Sequence, residues 1–368
     1  MSHELFRLGW DETFASAYSR FDRPDATAGR VLRADRGVCT VLDASGVVRA
    51  SLGGGILAGV AHDPVGLPCA GDWVVLRRWP DRRITVECVL PRRTALIRRT
   101  ADKDASGQVL AANMDTVAVV EPMHPEPDAG RLERLLSLAW DSGAKPLVVL
   151  TKSDMSSDPA AVARQLAELA PGVPVVPVSV RRGPGVEQIR AYAAAGRTLA
   201  LLGRSGAGKS TLVNALAGTP VMAESSEACP PGPTGAALSP VQSVMPVQQI
   251  RDADGKGRHT TAYRNLVLLP GGGAVLDTPG IRGVGLLETA HGLDRAFADV
   301  AALAARCRFR DCRHQDEPGC AVTAAIADGS LSPRRLASWL KLRHEVEVES
   351  ARRTVRLAEV AGRRRKRP

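Results

Sequence analysis

The stretch Thr198-Leu199-Ala200-Leu201-Leu202-Gly203-Arg204-Ser205-Gly206-Ala207-Gly208-Lys209-Ser210-Thr211 decides the fold. An apolar strand runs into Gly-x4-Gly-Lys-Ser, and Leu212 to Leu216 continue at helical spacing. Strand, glycine-rich turn and helix in that order make a phosphate-binding loop. Its glycines let backbone N–H groups turn inward. Those donors, with the helix N-terminus, cradle phosphates. Lys209 is placed to neutralise the β- and γ-phosphates, and Ser210 to ligate Mg²⁺.

Working outward, Ala274-Val-Leu-Asp277-Thr278-Pro279-Gly280 puts an acid at a strand end. Asp-x-x-Gly alone is a common turn. Beside a phosphate loop it reads as a magnesium and γ-phosphate motif, with Asp277 near the metal and the Gly280 N–H on the phosphate. Upstream, Val148-Val-Leu-Thr151-Lys152-Ser153-Asp154 follows another strand. A carboxylate at Asp154 can accept from N1–H and N2–H of guanine, a pair that adenine does not offer. The Lys152 stem can lie along the base. Thr151 stands where Asn is usual, leaving one group fewer. Ser179, in Val178-Ser179-Val180, fits a further base-contacting loop. The base-reading motif precedes the phosphate loop, whereas in an ordinary GTPase it follows. The expected class is therefore a circularly permuted α/β P-loop GTPase with a mostly parallel sheet.

Gly257-Arg258-His259-Thr260-Thr261 lies between the loop and Asp277. A GTPase needs a Thr there to complete the Mg²⁺ shell; Thr260 and Thr261 both qualify, and spacing does not choose. Ile281 fills the place where many GTPases carry a water-positioning Gln. An apolar side chain cannot orient water, so slow intrinsic hydrolysis is expected, with His259 a substitute once a partner fixes the loop.

Cys307-x4-Cys312-x-His314-x5-Cys320 gathers three thiols and an imidazole in a short span. Four protein ligands make a closed tetrahedral zinc set, structural rather than catalytic.

The chain has 368 residues, enough for two or three domains, and only 4% aromatic residues, so aliphatic side chains must fill the core. The formal charge of +10 suits a polyanionic partner, and much of the excess lies after Ala351. Seven cysteines, an odd number, with no apolar leader and no membrane-length apolar run, point to a reducing cytoplasm. Nothing calls for more than a monomer.

Residues 30–90 read as five short strands separated by Gly, Pro and Asp turns, which suits a small barrel of the oligonucleotide-binding (OB) type. A basic connector follows through Arg99, and from Thr116 strands and helices alternate, the pattern of a parallel sheet covered by helices. Residues 218–248 look like a Pro/Gly-rich insertion. The expected organisation is an N-terminal extension (1–28), a barrel (29–100), a permuted GTPase (111–290), a helical zinc-binding domain (291–350) and a basic tail (351–368), disordered in the free protein.

Taken together, Thr151-Lys-Ser-Asp, Gly203 to Thr211, Gly257-Arg-His-Thr-Thr, Asp277-Thr-Pro-Gly, the cysteine–histidine spacing and Ala111-Ala-Asn-Met-Asp resemble the RsgA (YjeQ) family of bacterial ribosome-dependent GTPases. The resemblance covers about Gly29 to Val346. It implies GTP and GDP as ligands with Mg²⁺ and one Zn²⁺. It also implies docking on the small ribosomal subunit and its rRNA, a part in late subunit maturation, and hydrolysis stimulated by the subunit. By the same resemblance His259 takes part in hydrolysis beside Lys209 and Thr260. A different-class reading is an rRNA-binding assembly factor whose nucleotide site only locks its shape.

Overall fold

The computed structural model describes residues 3–60, 64–99, 107–218, 265–278, 290–315 and 317–365. The chain opens with helices α1 (His3–Arg7) and α2 (Glu12–Ser19). The Asp11 side chain caps α2 by accepting from the Thr13 and Phe14 amides. Strands β1 (Ala26–Asp35), β2 (Val38–Asp43) and β3 (Gly46–Leu52), helix α3 (Gly54–Val60), and strands β4 (Trp73–Arg78) and β5 (Ile84–Val89) follow. They close a barrel in the order β1-β2-β3-β5-β4, with β3 and β5 parallel and every other pair antiparallel. This is OB topology.

Alternation explains the barrel's two apolar surfaces. Val31, Val41, Val74 and Leu76 point into the lumen. Ala28, Leu42, Trp73 and Val75, one residue out of phase, face outward onto Leu5, Leu8, Trp10 and Phe14. Residues 1–28, expected only as an extension, thus include two helices that cover one outer face of the barrel.

The arginine-rich connector also differs from its sequence reading. Part of it is strand β6 (Ala95–Arg99), paired antiparallel with β7 (Gly107–Ala112).

Strand β8 (Thr116–Pro122), helix α4 (Ala129–Asp141), strand β9 (Lys145–Thr151), helix α5 (Pro159–Ala167), strand β10 (Val175–Pro177), helix α6 (Val186–Arg190), strand β11 (Thr198–Leu202), helix α7 (Lys209–Leu216) and strands β12 (Asn265–Leu268) and β13 (Ala274–Asp277) form the second body. Its sheet has the order β10-β9-β8-β11-β13-β12, five parallel strands with β12 antiparallel at one edge. From β8 the chain winds one way through β9 to β10. From β11 the remaining strands lie on the other side. The point of reversal is between β8 and β11, where an open parallel sheet offers its crevice at the carboxyl ends.

Asp128 caps α4 through the Arg131 amide at 2.9 Å. Leu132, Leu135 and Leu136 of α4 are buried on the sheet, each worth about 2 kcal/mol of transfer free energy.

Helices α8 (Ala290–Ala296), α9 (Ala298–Ala304), α10 (Ala321–Ala327) and α11 (Pro333–Arg365) complete the chain. The basic tail is a continuation of α11 through Arg365 rather than the disordered end expected. Its Arg, Ala, Leu and Glu residues are good helix formers, and Arg352 pairs with Glu349 at 2.8 Å. Among the described residues no helix is long and apolar enough to cross a membrane.

A buried arginine fixes the barrel to the sheet. Arg30 of β1 donates to the Leu8 carbonyl, to the Asn113 carbonyl at 3.1 Å and to Thr198 Oγ1 at 2.8 Å. Burial brings its guanidinium down to about 10, with Asp115 and Asp72 opposing, so it stays charged at neutral pH.

Candidate guanine-nucleotide site and metal knuckle

The switch point between β8 and β11 carries the phosphate loop. Gly203 follows β11 so closely against β8 that a Cβ there would lie 2.4 Å from the Val120 carbonyl oxygen; only glycine fits. The loop turns through Gly206 and Gly208, at φ of 77° and 88°, and α7 starts at Lys209. Arg204, Ser205, Ala207 and Thr211 lie in the same turn and first helical residues.

Lys209 is buried. Its ammonium donates to the Gly203 and Arg204 carbonyls, each at 2.9 Å. Burial lowers its pKa, and the carboxylates of Asp277 and Glu121 oppose that shift. The Lys209 charge is thus held inside the loop by backbone acceptors that an anionic ligand can replace.

Asp277 ends β13, one strand over from the loop. Its Oδ2 accepts from Ser210 Oγ at 3.4 Å, while its buried Oδ1 has no partner among the described residues. Burial pushes the carboxyl up to about 6, against Lys209 and Ser210. An orphaned carboxylate oxygen beside a hydroxyl fits a hard divalent cation such as Mg²⁺.

The residues expected to read the base meet at the ends of β9 and β10. Ser179 Oγ donates to Asp154 Oδ1 at 2.7 Å and itself accepts from the Arg182 amide at 3.1 Å. Lys152, in a left-handed conformation at φ of 57°, donates to the His124 carbonyl at 3.1 Å. Burial lowers the Lys152 pKa, with Arg204 and Arg181 adding to the effect. Thr151 Oγ1 donates to the Ala207 carbonyl at 2.6 Å, so the base motif and the phosphate loop are tied directly.

Two residues of this neighbourhood carry no motif. Glu121, fully buried at the end of β8, forms two bonds with Arg131 of α4, at 2.6 and 2.8 Å. An acid closing the otherwise apolar run Thr116 to Val120 is the signal that marks it. His259, Thr260, Thr261, Gly280 and Ile281 lie outside the described residues.

Cys307, Cys312, His314 and Cys320 come together with all four ligand atoms within 4.8 Å of one another. Cys307 Sγ is 3.8 Å from Cys320 Sγ and 3.5 Å from His314 Nδ1; Cys320 Sγ is 3.6 Å from the same nitrogen. Zn–S bonds of about 2.3 Å set tetrahedral sulfur–sulfur edges of about 3.8 Å, so the set fits zinc. Burial raises the Cys320 thiol, but Thr323, His314 and Cys312 outweigh it and bring it down to about 6. The carboxylate of Glu317 accepts from the Arg313 and Gln315 amides and braces the loop that carries His314.

Known proteins agree with this geometry. The profile of the RsgA GTPase family matches residues 89–287. The small ribosomal subunit biogenesis GTPase RsgA of Streptomyces coelicolor is 47% identical over 344 residues, covering 93% of this chain and 86% of that protein. The protein of the same name from Streptomyces avermitilis is 44% identical, covering 97% and 89%. The crystal structure of YjeQ from Thermotoga maritima superposes with a TM-score of 0.60 at 24% identity, over 87% of this chain and 98% of that one. YloQ, titled a circularly permuted GTPase, does so with a TM-score of 0.56 at 21% identity, over 88% and 95%. The fold and motif order define a circularly permuted GTPase. Within that class, the chain belongs to the RsgA GTPase family.

Proposed function

We propose that this GTPase binds the small ribosomal subunit and its rRNA and assists late maturation of the subunit, hydrolysing GTP to GDP and phosphate with stimulation by the subunit. The observation that carries the nucleotide part is the convergence of Asp154, Ser179, Thr151, the loop Gly203 to Thr211 and Asp277 at one end of a parallel sheet. The subunit part rests on what relatives at 47% and 44% identity are named for. It rests also on a formal charge of +10, suited to rRNA phosphates. The reading places the protein in the cytoplasm as a monomer, with the domain limits given by the sequence. The relatives are named as GTPases, which favours turnover over a nucleotide lock.

In this reading Asp154, braced by Ser179, reads the guanine edge. Lys152 lies against the base, and Thr151 keeps base and phosphate sites in register. The loop amides and Lys209 hold the β- and γ-phosphates. Ser210 and Asp277, with Thr260 or Thr261, are the residues to hold Mg²⁺, which neutralises phosphate charge during transfer. Gly280 bonds the γ-phosphate. His259 stands in for the absent glutamine when the protein is bound to the subunit. Cys307, Cys312, His314 and Cys320 hold one structural Zn²⁺ per chain.

A nucleotide competition tests the site. GTP and GDP should displace a fluorescent GDP analogue from the purified protein, and ATP should not. Equal displacement by ATP would refute the assignment of Asp154. Co-sedimentation with small subunits tests the partner, and loss of binding to purified subunits in every nucleotide state would refute it.

A further inference from the structure

Among the described residues the C-terminal helices share one apolar core with the nucleotide-binding sheet. Phe297, Val300 and Trp339 are buried in one cluster with Val119, Leu132 and Leu136 of the nucleotide-binding sheet and α4. Helix α8 crosses α4 at Gly292, whose amide donates to Asp141 Oδ1 at 2.7 Å. A Cβ at Gly292 would lie 2.3 Å from the Ser137 carbonyl oxygen, so the helices touch backbone to backbone.

At the centre of this contact is Arg335 of α11, 3% exposed. A guanidinium has five N–H donors, and the geometry accounts for all of them. Nε and one NH2 proton reach the two oxygens of Asp299, each at 3.0 Å; the others reach Glu133 Oε1 at 2.8 Å, the Leu169 carbonyl at 3.1 Å and the Ala296 carbonyl at 2.7 Å. Its Cζ lies 4.1 Å from the Phe297 ring centroid. Glu133 and Leu169 belong to the sheet side, Ala296 and Asp299 to the C-terminal side. Glu133 is fully buried and also accepts from Arg334 and Ser338. A further α4–α11 ion pair, Arg134–Glu345 at 2.7 Å, lies further along.

Both ends of this clamp lead to a site. Two residues before Glu133, Arg131 holds Glu121, whose charge reaches Lys209 in the phosphate loop. One turn after Arg335, Trp339 is buried against the metal-ligating ring of His314, with centroids 5.5 Å apart.

We infer that Arg335 is a positioning residue that makes the metal knuckle and the nucleotide-binding sheet one rigid, cooperatively opening body. Guanine nucleotide and metal then each slow the other's release, and the knuckle keeps its place on the sheet when nucleotide binds. The inference rests on the nucleotide site proposed above. Its physical basis is linkage: a ligand that binds only the closed body lowers the opening of every part that must open with it, and the effect is reciprocal.

The test is hydrogen exchange on the zinc-loaded full chain with and without GDP, with GDP binding measured by fluorescence on the same sample. With GDP at about ten times its Kd, exchange in α4 and in α11 over 335–346 slows together by about tenfold, and zinc transfer to a chromophoric chelator slows likewise. In Arg335→Met, GDP still binds and still protects α4, but α11 and zinc release no longer respond. Glu133→Gln, which keeps one acceptor oxygen but removes the charge and the second acceptor, gives a second reading if Arg335→Met does not fold. GDP binding that protects α4 but leaves α11 and zinc release unchanged in the native chain overturns the inference, as does full coupling in both variants. Failure of the native chain to bind GDP strikes the nucleotide site itself, and the inference falls with it.

Discussion

Thr151 Oγ1 donates to the Ala207 carbonyl at 2.6 Å, and this bond joins the end of β9 to the glycine-rich loop before α7. Both residues are buried, so the bond is made away from water. Thr151→Val keeps the shape and leaves that carbonyl unpaired, at a cost of about 1–3 kcal/mol. Affinity for GDP and GTP is expected to fall by about 5- to 100-fold, with discrimination against ATP unchanged. Titration with fluorescent GDP and GTP checks this; an equal loss of base discrimination would show that Thr151 contacts the base instead.

Ser179 Oγ donates to the Asp154 carboxylate at 2.7 Å, and Asp154 is the proposed reader of the guanine edge. Asp154→Asn replaces an acceptor by a donor. Guanine nucleotides are expected to bind at least about 100-fold more weakly, because buried polar groups are left mismatched. Xanthine nucleotides, with a carbonyl in place of the guanine N2 amine, are expected to gain affinity. Competition assays with GDP and XDP measure both changes.

The Asp277 carboxyl, raised to about 6 by burial, gives a pH signature. Cation binding needs the carboxylate, so Mg²⁺ enhancement of nucleotide binding is expected to hold above pH 7 and to fall below pH 6. The sign for stability without ligands is opposite. The folded pKa lies above the ordinary 3.8, so the fold bears the cost of a buried charge above pH 6, and that cost vanishes below about pH 4. Asp277→Asn is therefore expected to stabilise the ligand-free protein by about 1–3 kcal/mol at pH 7.5 and to leave it unchanged near pH 4. Thermal unfolding across that range, with and without Mg²⁺ and GDP, checks both signs.

Metal content is a separate expectation. The sulfur and nitrogen spacings of 3.5–3.8 Å fit one zinc per chain. Cys312→Ser is expected to purify with little zinc and to lose several degrees of thermal stability, since most described side chains of the 307–320 loop are exposed and give it little core to hold it without metal. Elemental analysis with thermal unfolding reads both; full zinc occupancy in Cys312→Ser would remove Cys312 from the ligand set.

Local signals made much of this legible in the sequence. The phosphate loop, Asp154 and the cysteine–histidine spacing are short patterns whose chemistry needs those residues at those intervals. The barrel strands and the β–α alternation show in their hydrophobic periods. What escaped depends on distant partners. Ala95–Arg99 reads as part of a basic connector because Arg92, Arg93, Arg98 and Arg99 crowd the stretch 91–99, and only pairing with Gly107–Ala112 makes it a strand. Arg30 and Arg335 look like surface arginines, and nothing near them in sequence announces a buried carboxylate or a row of carbonyls. The N-terminal helices escaped as well, because a helix of eight residues is fixed by packing Phe14 and Tyr18 on the barrel.

GTP turnover by the full chain, alone and with purified small ribosomal subunits, tests the central claim most directly, with Lys209→Ala as the control. The account predicts at least about tenfold stimulation by subunits, about 1.4 kcal/mol of barrier, absent in Lys209→Ala. GTP-dependent subunit binding with no increase in turnover would contradict it.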